Sequence, residues 1–306
     1  MQTTDTILLV RPKQFRRNEQ TAVNNYFQGK EDQNSALKYT AIEEFDNFVA
    51  LLNYAGVQTV VLQDEGTYDT PDSIFPNNVI SFHGDTAILY PMFAENRRRE
   101  RQLNHLAALE KLDIHYKHII DYTAQEDQSK FLEGTGVLIL DRVNKIAYCS
   151  ISDRAHEDLL QQFCDEQSYT AVPFHAVQQV QGIALPIYHT NVMMSVGTNF
   201  CLICWDCIPD LLERKKLEQQ FARTQKEVIP ISIEQMNQFA GNILEVKNKS
   251  GLPFICMSTQ AFDSLTEIQK KTLEKYGLIL HSSLYSIEKY GGGSARCMMA
   301  EVFLSA

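Results

Sequence analysis

Cys297 follows a run of three glycines, in GGGSARCM (291–298). A cysteine attacks carbon as its thiolate, so it needs a partner or a field that favours ionisation, and access to substrate. A glycine run lets backbone approach a ligand closely, which makes Gly292 and Gly293 candidate substrate contacts. His189 opens the polar patch HTN ahead of VMMSV, and Glu133 stands in LEGTG, before two glycines. If they met, the three would supply a nucleophile, an acid/base and a carboxylate to orient it. A fourth stretch, TPDSIFPNN (70–78), ends on Asn77 and Asn78, two amides suited to a polar substrate, with Asp72 as an added carboxylate. Taken singly, each has a plainer reading. These are a core thiol behind a loop, a hydrogen-bonded histidine, an acid on a surface turn, and asparagines shaping a turn after Pro76.

The elements that must position these residues recur. Helical spacing marks five segments, at 37–55, 97–112, 154–167, 209–226 and 261–276. Their centres lie about 55 residues apart, and about three short β-type runs separate each from the next. Such a unit is too small to bury its own face, whereas five around an axis share a core. The four polar stretches fall at comparable points of different repeats, near strand ends. No linker divides the chain, so residues 1–306 are expected to form one α/β domain. Periodicity does not distinguish a closed ring from an open solenoid. The basic run RRRERQ (97–102) reads as the solvated face of the second helix.

Composition excludes several classes. With 44% hydrophobic residues the chain can bury a large core, and its net charge of −10 argues against nucleic acid. No run of about 20 apolar residues exists, so no membrane partner is expected and a cytoplasmic location is. Seven cysteines, placed inside apolar runs, suggest reduced thiols. CLICWDC holds Cys201, Cys204 and Cys207, but strand alternation would put Cys204 on the opposite face from the other two, so no metal is expected.

These stretches, together with SDRA (152–155), occur in the order seen in guanidino-group-modifying enzymes, and the chain resembles that superfamily over nearly its whole length. It includes arginine deiminase, dimethylarginine dimethylaminohydrolase and the amidinotransferases. RPKQFRRNEQTAVNNYFQ (11–28) together with HTNVMMSVG resembles the bacterial citrulline-utilisation hydrolase, or citrulline ureidase, branch. The resemblance implies a five-bladed α/β propeller (pentein) of ββαβ units with pseudo-fivefold symmetry and a central site. It implies a cofactor-independent hydrolase with Cys297 as nucleophile, His189 as acid/base and Glu133 as its partner. It places Asp72, Asn77 and Asn78 around the group that reacts, and Arg154 on the substrate carboxylate, with Ala155 replacing the family's threonine.

Asn78 and Asn191 stand where arginine deiminases carry aspartate. Without carboxylates a buried guanidinium would lose about 3–5 kcal/mol, by analogy with a broken buried ion pair, whereas a neutral ureido group suits an amide. Citrulline is therefore the expected substrate, cleaved to ornithine, ammonia and carbon dioxide. Arginine deiminase, a dihydrolase on an arginine derivative, an amidinotransferase and a non-catalytic pentein binding protein are the alternatives. A homodimer is one assembly the sequence leaves open.

Overall fold

The structure is a computed structural model that describes residues 1–29 and 36–304. Its described residues contain five three-stranded sheets built to one plan. The first joins Ala300–Glu301, Thr6–Arg11 and Gln58–Gln63; the second joins Ile80–His83, Thr86–Leu89 and His118–Asp121. The third joins Ile139–Asp141, Ile146–Ser150 and Thr170–Phe174; the fourth joins Met194–Val196, Phe200–Ile203 and Glu227–Pro230. Leu244–Lys247, Pro253–Ser258 and Leu278–Ser282 make the fifth.

In every sheet the middle strand pairs antiparallel on one side and parallel on the other. A parallel neighbour requires a crossover, and helical segments occupy each of these crossovers. Middle strands are covered on both faces, which is why ILLV (7–10) and FCLI (200–203) read as continuous apolar runs; both are fully buried.

The expected three strands per repeat are present in all five sheets, along with a further hairpin, Val177–Val180 with Ile183–Pro186. Gly182, at φ +81°, supplies the left-handed turn between its arms. Two expected helices are broken. The 261–276 pattern divides into Thr259–Ser264 and Glu267–Glu274, because Thr266 and Gln269 form a capping box that starts a new helix.

The 97–112 pattern becomes three short pieces, Glu95–Arg98, Arg99–Leu103 and His105–Glu110, with Asn104 left-handed at φ 54° between the last two. The solvated reading of RRRERQ is also corrected: Arg97 and Glu100 are 2% and 1% exposed. Spaced three apart, they turn inward as a pair, with Arg97 Nε 2.9 Å from Glu100 Oε1. CLICWDC is not one strand either. The strand stops at Ile203, and the turn Trp205–Cys207 brings Cys207 Sγ to 3.2 Å from Cys204 Sγ.

Tight turns lead into the first strand of each sheet. They are Pro76–Asn78, Gly134–Val137, Thr190–Val192, a turn closed by Asn242 N on Phe239 O (2.9 Å), and Ala295–Met298. These five turns deliver the polar residues of the site. No described helix is long and apolar enough to cross a membrane, and no group of three or more described His, Cys, Asp or Glu residues could hold a metal ion.

Candidate active site

Glu133 and His189 meet. His189 Nε2 lies 2.6 Å from Glu133 Oε2, and both residues are buried. The other carboxylate oxygen accepts the Phe93 N–H at 3.0 Å. Burial alone would raise the Glu133 carboxyl. The Arg154 guanidinium 3.5 Å away and the His189 hydrogen bond outweigh it, and hold the carboxyl well below the usual range. Burial pulls His189 down to about 4 in spite of Glu133, with Arg154 and Arg97 acting the same way. At neutral pH the imidazole is therefore uncharged. Its Nε2 proton points at an ionised carboxylate, which leaves Nδ1 as the free base.

Two glycines make room for this pair. A Cβ on Gly136 would stand 2.3 Å from Asn78 Nδ2 and 2.9 Å from His189 Nδ1. A Cβ on Gly134, already at φ +46°, would fall 2.4 Å from the Asn77 carbonyl oxygen. LEGTG is thus a packing requirement of the site as well as the source of its carboxylate.

Cys297 sits in the turn Ala295–Met298 at 2% exposure. Two amides donate to its sulfur, Asn191 Nδ2 at 3.3 Å and Asn242 Nδ2 at 3.2 Å. Asn242 also accepts the Cys297 N–H through Oδ1 at 3.4 Å, and fixes the neighbouring turn by donating to the Asn191 carbonyl at 2.9 Å. Such donors complement negative charge on sulfur. Arg296 points away, with Nη2 2.8 Å from Glu301.

Asn242 was not foreseen, yet its signal exists. FAGNILEV stands to its strand as YHTNVMMSV and ARCMMAEV stand to theirs, and Asn191, Asn242 and Cys297 succeed one another at 51 and 55 residues. Arg97 was missed for the opposite reason, since its run of charges imitates a solvent face.

Arg97 organises the amide pair. Its Nη1 donates to Asn78 Oδ1 at 2.7 Å, and its Nη2 donates to the Phe75 carbonyl at 3.1 Å. Burial works against the Arg97 charge, but Glu100 and Asp72 more than offset it and keep the group protonated. A guanidinium has only donors, so the Asn78 atom it meets must be the oxygen. The Asn78 nitrogen is then turned toward Gly136 and His189. It gives one N–H to Asn77 Oδ1 at 3.0 Å, and its second N–H meets no acceptor among the described residues. Asn77 Nδ2 bonds Thr135 Oγ1 at 3.2 Å.

Asp72 and Arg154 are tied to residues 12–29, which cover the site. Asp72 Oδ2 accepts from Asn18 at 2.7 Å and Thr21 at 3.0 Å, while its Oδ1 is buried without a hydrogen-bond partner among the described residues. Arg154 Nε donates to Asn24 Oδ1 at 3.0 Å and its Nη2 to the Thr21 carbonyl at 2.9 Å. Gln28 Nε2 and Asn25 Nδ2 reach the Gly291 carbonyl at 3.1 and 3.3 Å. Gly292 is left-handed at φ +65°, and its carbonyl accepts from Tyr188 Oη at 2.5 Å. Every Cβ position along the glycine run is taken, by Phe75 or by Asn25 and Gln28.

Beneath the cover lies a tight cavity of about 10 Å³, room for a water-sized group. Asp72, Asn78, Arg97, Arg154, His189 and Cys297 line it, with Gly292 and Gly293 completing the wall. Of the expected residues, Glu133, Asn77 and Asn191 stand directly behind this lining. The arrangement brings a thiol, an uncharged imidazole and charged groups of both signs to one cavity.

None of the curated proteins compared with the chain matches it. The fold is that of several solved enzymes. The N-terminal domain of ArgZ, a cyanobacterial arginine dihydrolase of the ornithine–ammonia cycle captured as a substrate-bound mutant, superposes with a TM-score of 0.76 at 16% identity. That match covers 98% of each chain. AgrE, in a mutant complex with L-arginine, gives the same score and identity over 98% of this chain and 40% of its own. A dimethylarginine dimethylaminohydrolase from Pseudomonas aeruginosa, a mutant complexed with citrulline, gives 0.66 at 13% identity over 98% and 99%. A family model described as N,N dimethylarginine dimethylhydrolase, eukaryotic, matches residues 11–304. The chain therefore belongs to that family of hydrolases acting on carbon–nitrogen bonds, within the pentein guanidino-group-modifying superfamily.

Proposed function

We propose that this protein hydrolyses the ureido group of citrulline to ornithine, ammonia and carbon dioxide, with Cys297 as nucleophile, His189 as acid/base and Glu133 as its partner. The observation that carries the reading is the orientation of Asn78. Arg97 claims its oxygen, so the polar atom that Asn78, a lining residue, has left for a substrate is its nitrogen. A ureido carbonyl accepts a hydrogen bond from it, whereas a guanidinium meets it donor against donor and finds no carboxylate at this position.

The proton inventory closes. Neutral His189 takes the thiol proton at Nδ1 and becomes an imidazolium stabilised by Glu133. The thiolate attacks the ureido carbon, the carbon–nitrogen bond to the ornithine side chain breaks, and the imidazolium protonates the departing amine. His189 next takes a proton from water, the hydroxide attacks the S-carbamoyl group, and the thiolate leaves and regains its proton. The released carbamic acid breaks down to ammonia and carbon dioxide. Arg154 supplies positive charge for the substrate carboxylate.

The same reading treats residues 1–306 as one catalytic domain whose five sheets close into a propeller ring. Two observations support this: turns leading into all five sheets furnish the site, and strand Ala300–Glu301 pairs back onto Thr6–Arg11. A cytoplasmic location is part of the proposal, on the strength of the thiol chemistry alone.

One observation favours arginine dihydrolysis instead. Asp72 Oδ1 is buried without a hydrogen-bond partner among the described residues and is part of the cavity wall, a carboxylate oxygen fit for a cationic group. A panel of citrulline, arginine and succinylarginine, read as ammonia with ornithine (succinylornithine from the last), separates the two. Citrulline turnover with equimolar ornithine and ammonia, and none from arginine, supports the ureidase. Two ammonia per ornithine from arginine overturns it. Cys297→Ser is expected to bind substrate without turnover; activity near wild type would refute the covalent route.

A further inference from the structure

Glu288 lies outside the reacting group and has no part in the chemistry above. It is 1% exposed, on the helix Tyr285–Gly291 that runs into the glycine run. Its Oε1 accepts the Ser294 hydroxyl at 2.6 Å, and its backbone carbonyl accepts Gly292 N–H at 2.9 Å. The Ser294 carbonyl in turn accepts Cys297 N–H at 3.0 Å and Met298 N–H at 3.3 Å, so Ser294 is the origin of the turn that presents the sulfur. Glycines 291–293 have no side chains with which to fix this path, and a run of three is costly to order. The other side chains holding the run are Asn25 and Gln28 of the cover segment and Tyr188. Glu288 is the one that grips the residue joining the glycines to the nucleophile.

We propose that Glu288 is a positioning residue for Cys297, acting through Ser294 to fix the turn that carries the thiol. This rests on Cys297 being the nucleophile. A buried carboxylate is an expensive way to hold one hydroxyl, and an amide of the same shape would serve for structure alone. The second oxygen of Glu288 makes no hydrogen bond of normal geometry among the described residues, although the residue borders two surface hollows that meet at Gln260, Tyr285 and Glu288.

Several groups face it. Glu44, on helix Ala36–Tyr54, adds like charge, and Asp263 lines one of the same hollows. Lys289 neighbours it on its own helix, and the Ser258 and Ser294 hydroxyls favour its ionised form. Burial dominates and pushes the carboxyl up to about 7. The hold on Ser294 is therefore a charge-assisted hydrogen bond above neutral pH and a weaker one below it.

The test uses Glu288→Ala, Glu288→Gln and Ser294→Ala in the full chain. Turnover of the preferred substrate is measured from pH 5.5 to 9, and labelling of Cys297 by chloroacetamidine is followed by peptide mass spectrometry. We expect Glu288→Ala and Ser294→Ala each to lower kcat and the labelling rate about tenfold, the order expected from losing one charge-assisted hydrogen bond, while KM moves less than about threefold. Glu288→Gln keeps the amide oxygen as acceptor. It should restore most of the rate and remove a limb of the wild-type pH profile near 7.

Unchanged kcat and labelling in both Glu288→Ala and Ser294→Ala would overturn the proposal. So would a Glu288→Gln profile that keeps the neutral limb. Should Glu288→Ala not fold, the other two variants carry the same decision. If wild-type Cys297 escapes the probe and Cys297→Ser turns over, the nucleophile reading fails instead, and the two failures are told apart.

Discussion

Replacing Asn78 by aspartate exchanges one N–H-bearing nitrogen for an oxygen and adds a charge, with almost no change of volume. Arg97 Nη1, now 2.7 Å from the amide oxygen, keeps an acceptor at that atom. The change falls on the atom beside Gly136 and His189. Asn77 Oδ1, which accepts the Asn78 N–H at 3.0 Å, would face an oxygen, and its amide can turn over so that its nitrogen donates instead.

For citrulline the ureido carbonyl loses a donor and meets an acceptor. A lost partner of this kind in a buried site costs about 1–3 kcal/mol, or about 5- to 150-fold in kcat/KM. For arginine the same oxygen becomes a partner for a guanidinium, so the ratio of arginine to citrulline kcat/KM should rise by at least that factor. The assay is initial-rate ornithine and ammonia release at substrate concentrations below KM, with thermal melting to confirm an intact fold. A variant that keeps citrulline kcat/KM within about twofold, with the ratio unmoved, would refute the idea that Asn78 reads the substrate carbonyl.

Glu133→Gln removes the charge that offsets Arg154, Arg97 and the transient imidazolium. It should cost about 3–5 kcal/mol of stability as a broken buried pair and about 10²–10⁴ in kcat, read by chemical denaturation and steady-state rates. Because folding depresses the Glu133 carboxyl, its contribution is present above the ordinary carboxylate range, near 4.5, and is lost as pH falls below it. Wild type should therefore lose stability through that acid window, and the variant should lose less. Asn242→Ala leaves Asn191 as the sulfur's one remaining amide donor, and should slow chloroacetamidine labelling at fixed pH about tenfold. Gly136→Ala puts a methyl group 2.3 Å from Asn78 Nδ2 and should reduce turnover more than about 100-fold while circular dichroism stays native.

The sequence exposed the repeat and the residues whose surroundings are unusual. Cys297, His189 and Glu133 stood out because glycines or polar patches interrupted apolar strands there, and those interruptions are the turns that lead to the cavity. Asn242 carries a weaker marker, the single Gly241 before it, and comparison with the four sister turns would reveal it. Arg97 was hidden because a charged run near a helix start reads as solvent-facing, and its burial depends on partners at Asn78 and Glu133 far away in sequence. The same distance hid the role of residues 11–28, whose polar side chains satisfy Asp72, Arg154 and Gly291 rather than water. The break at Asn104 required a left-handed residue, which periodicity does not report.

The pairing of Ala300–Glu301 with Thr6–Arg11 bears on assembly. A chain emerging in order can complete its second, third, fourth and fifth sheets from neighbouring segments. The first sheet must wait, and until it closes one edge of Thr6–Arg11 stays open to any other strand. Cys297 lies just ahead of the strand that closes it, so the turn bearing the thiol arrives with the last long-range contact. An incomplete chain would hold His189, Glu133 and both arginines but not the proposed nucleophile. Reactivity and closure of the first sheet are then coupled, and the appearance of probe-labelled Cys297 during refolding would report that closure directly.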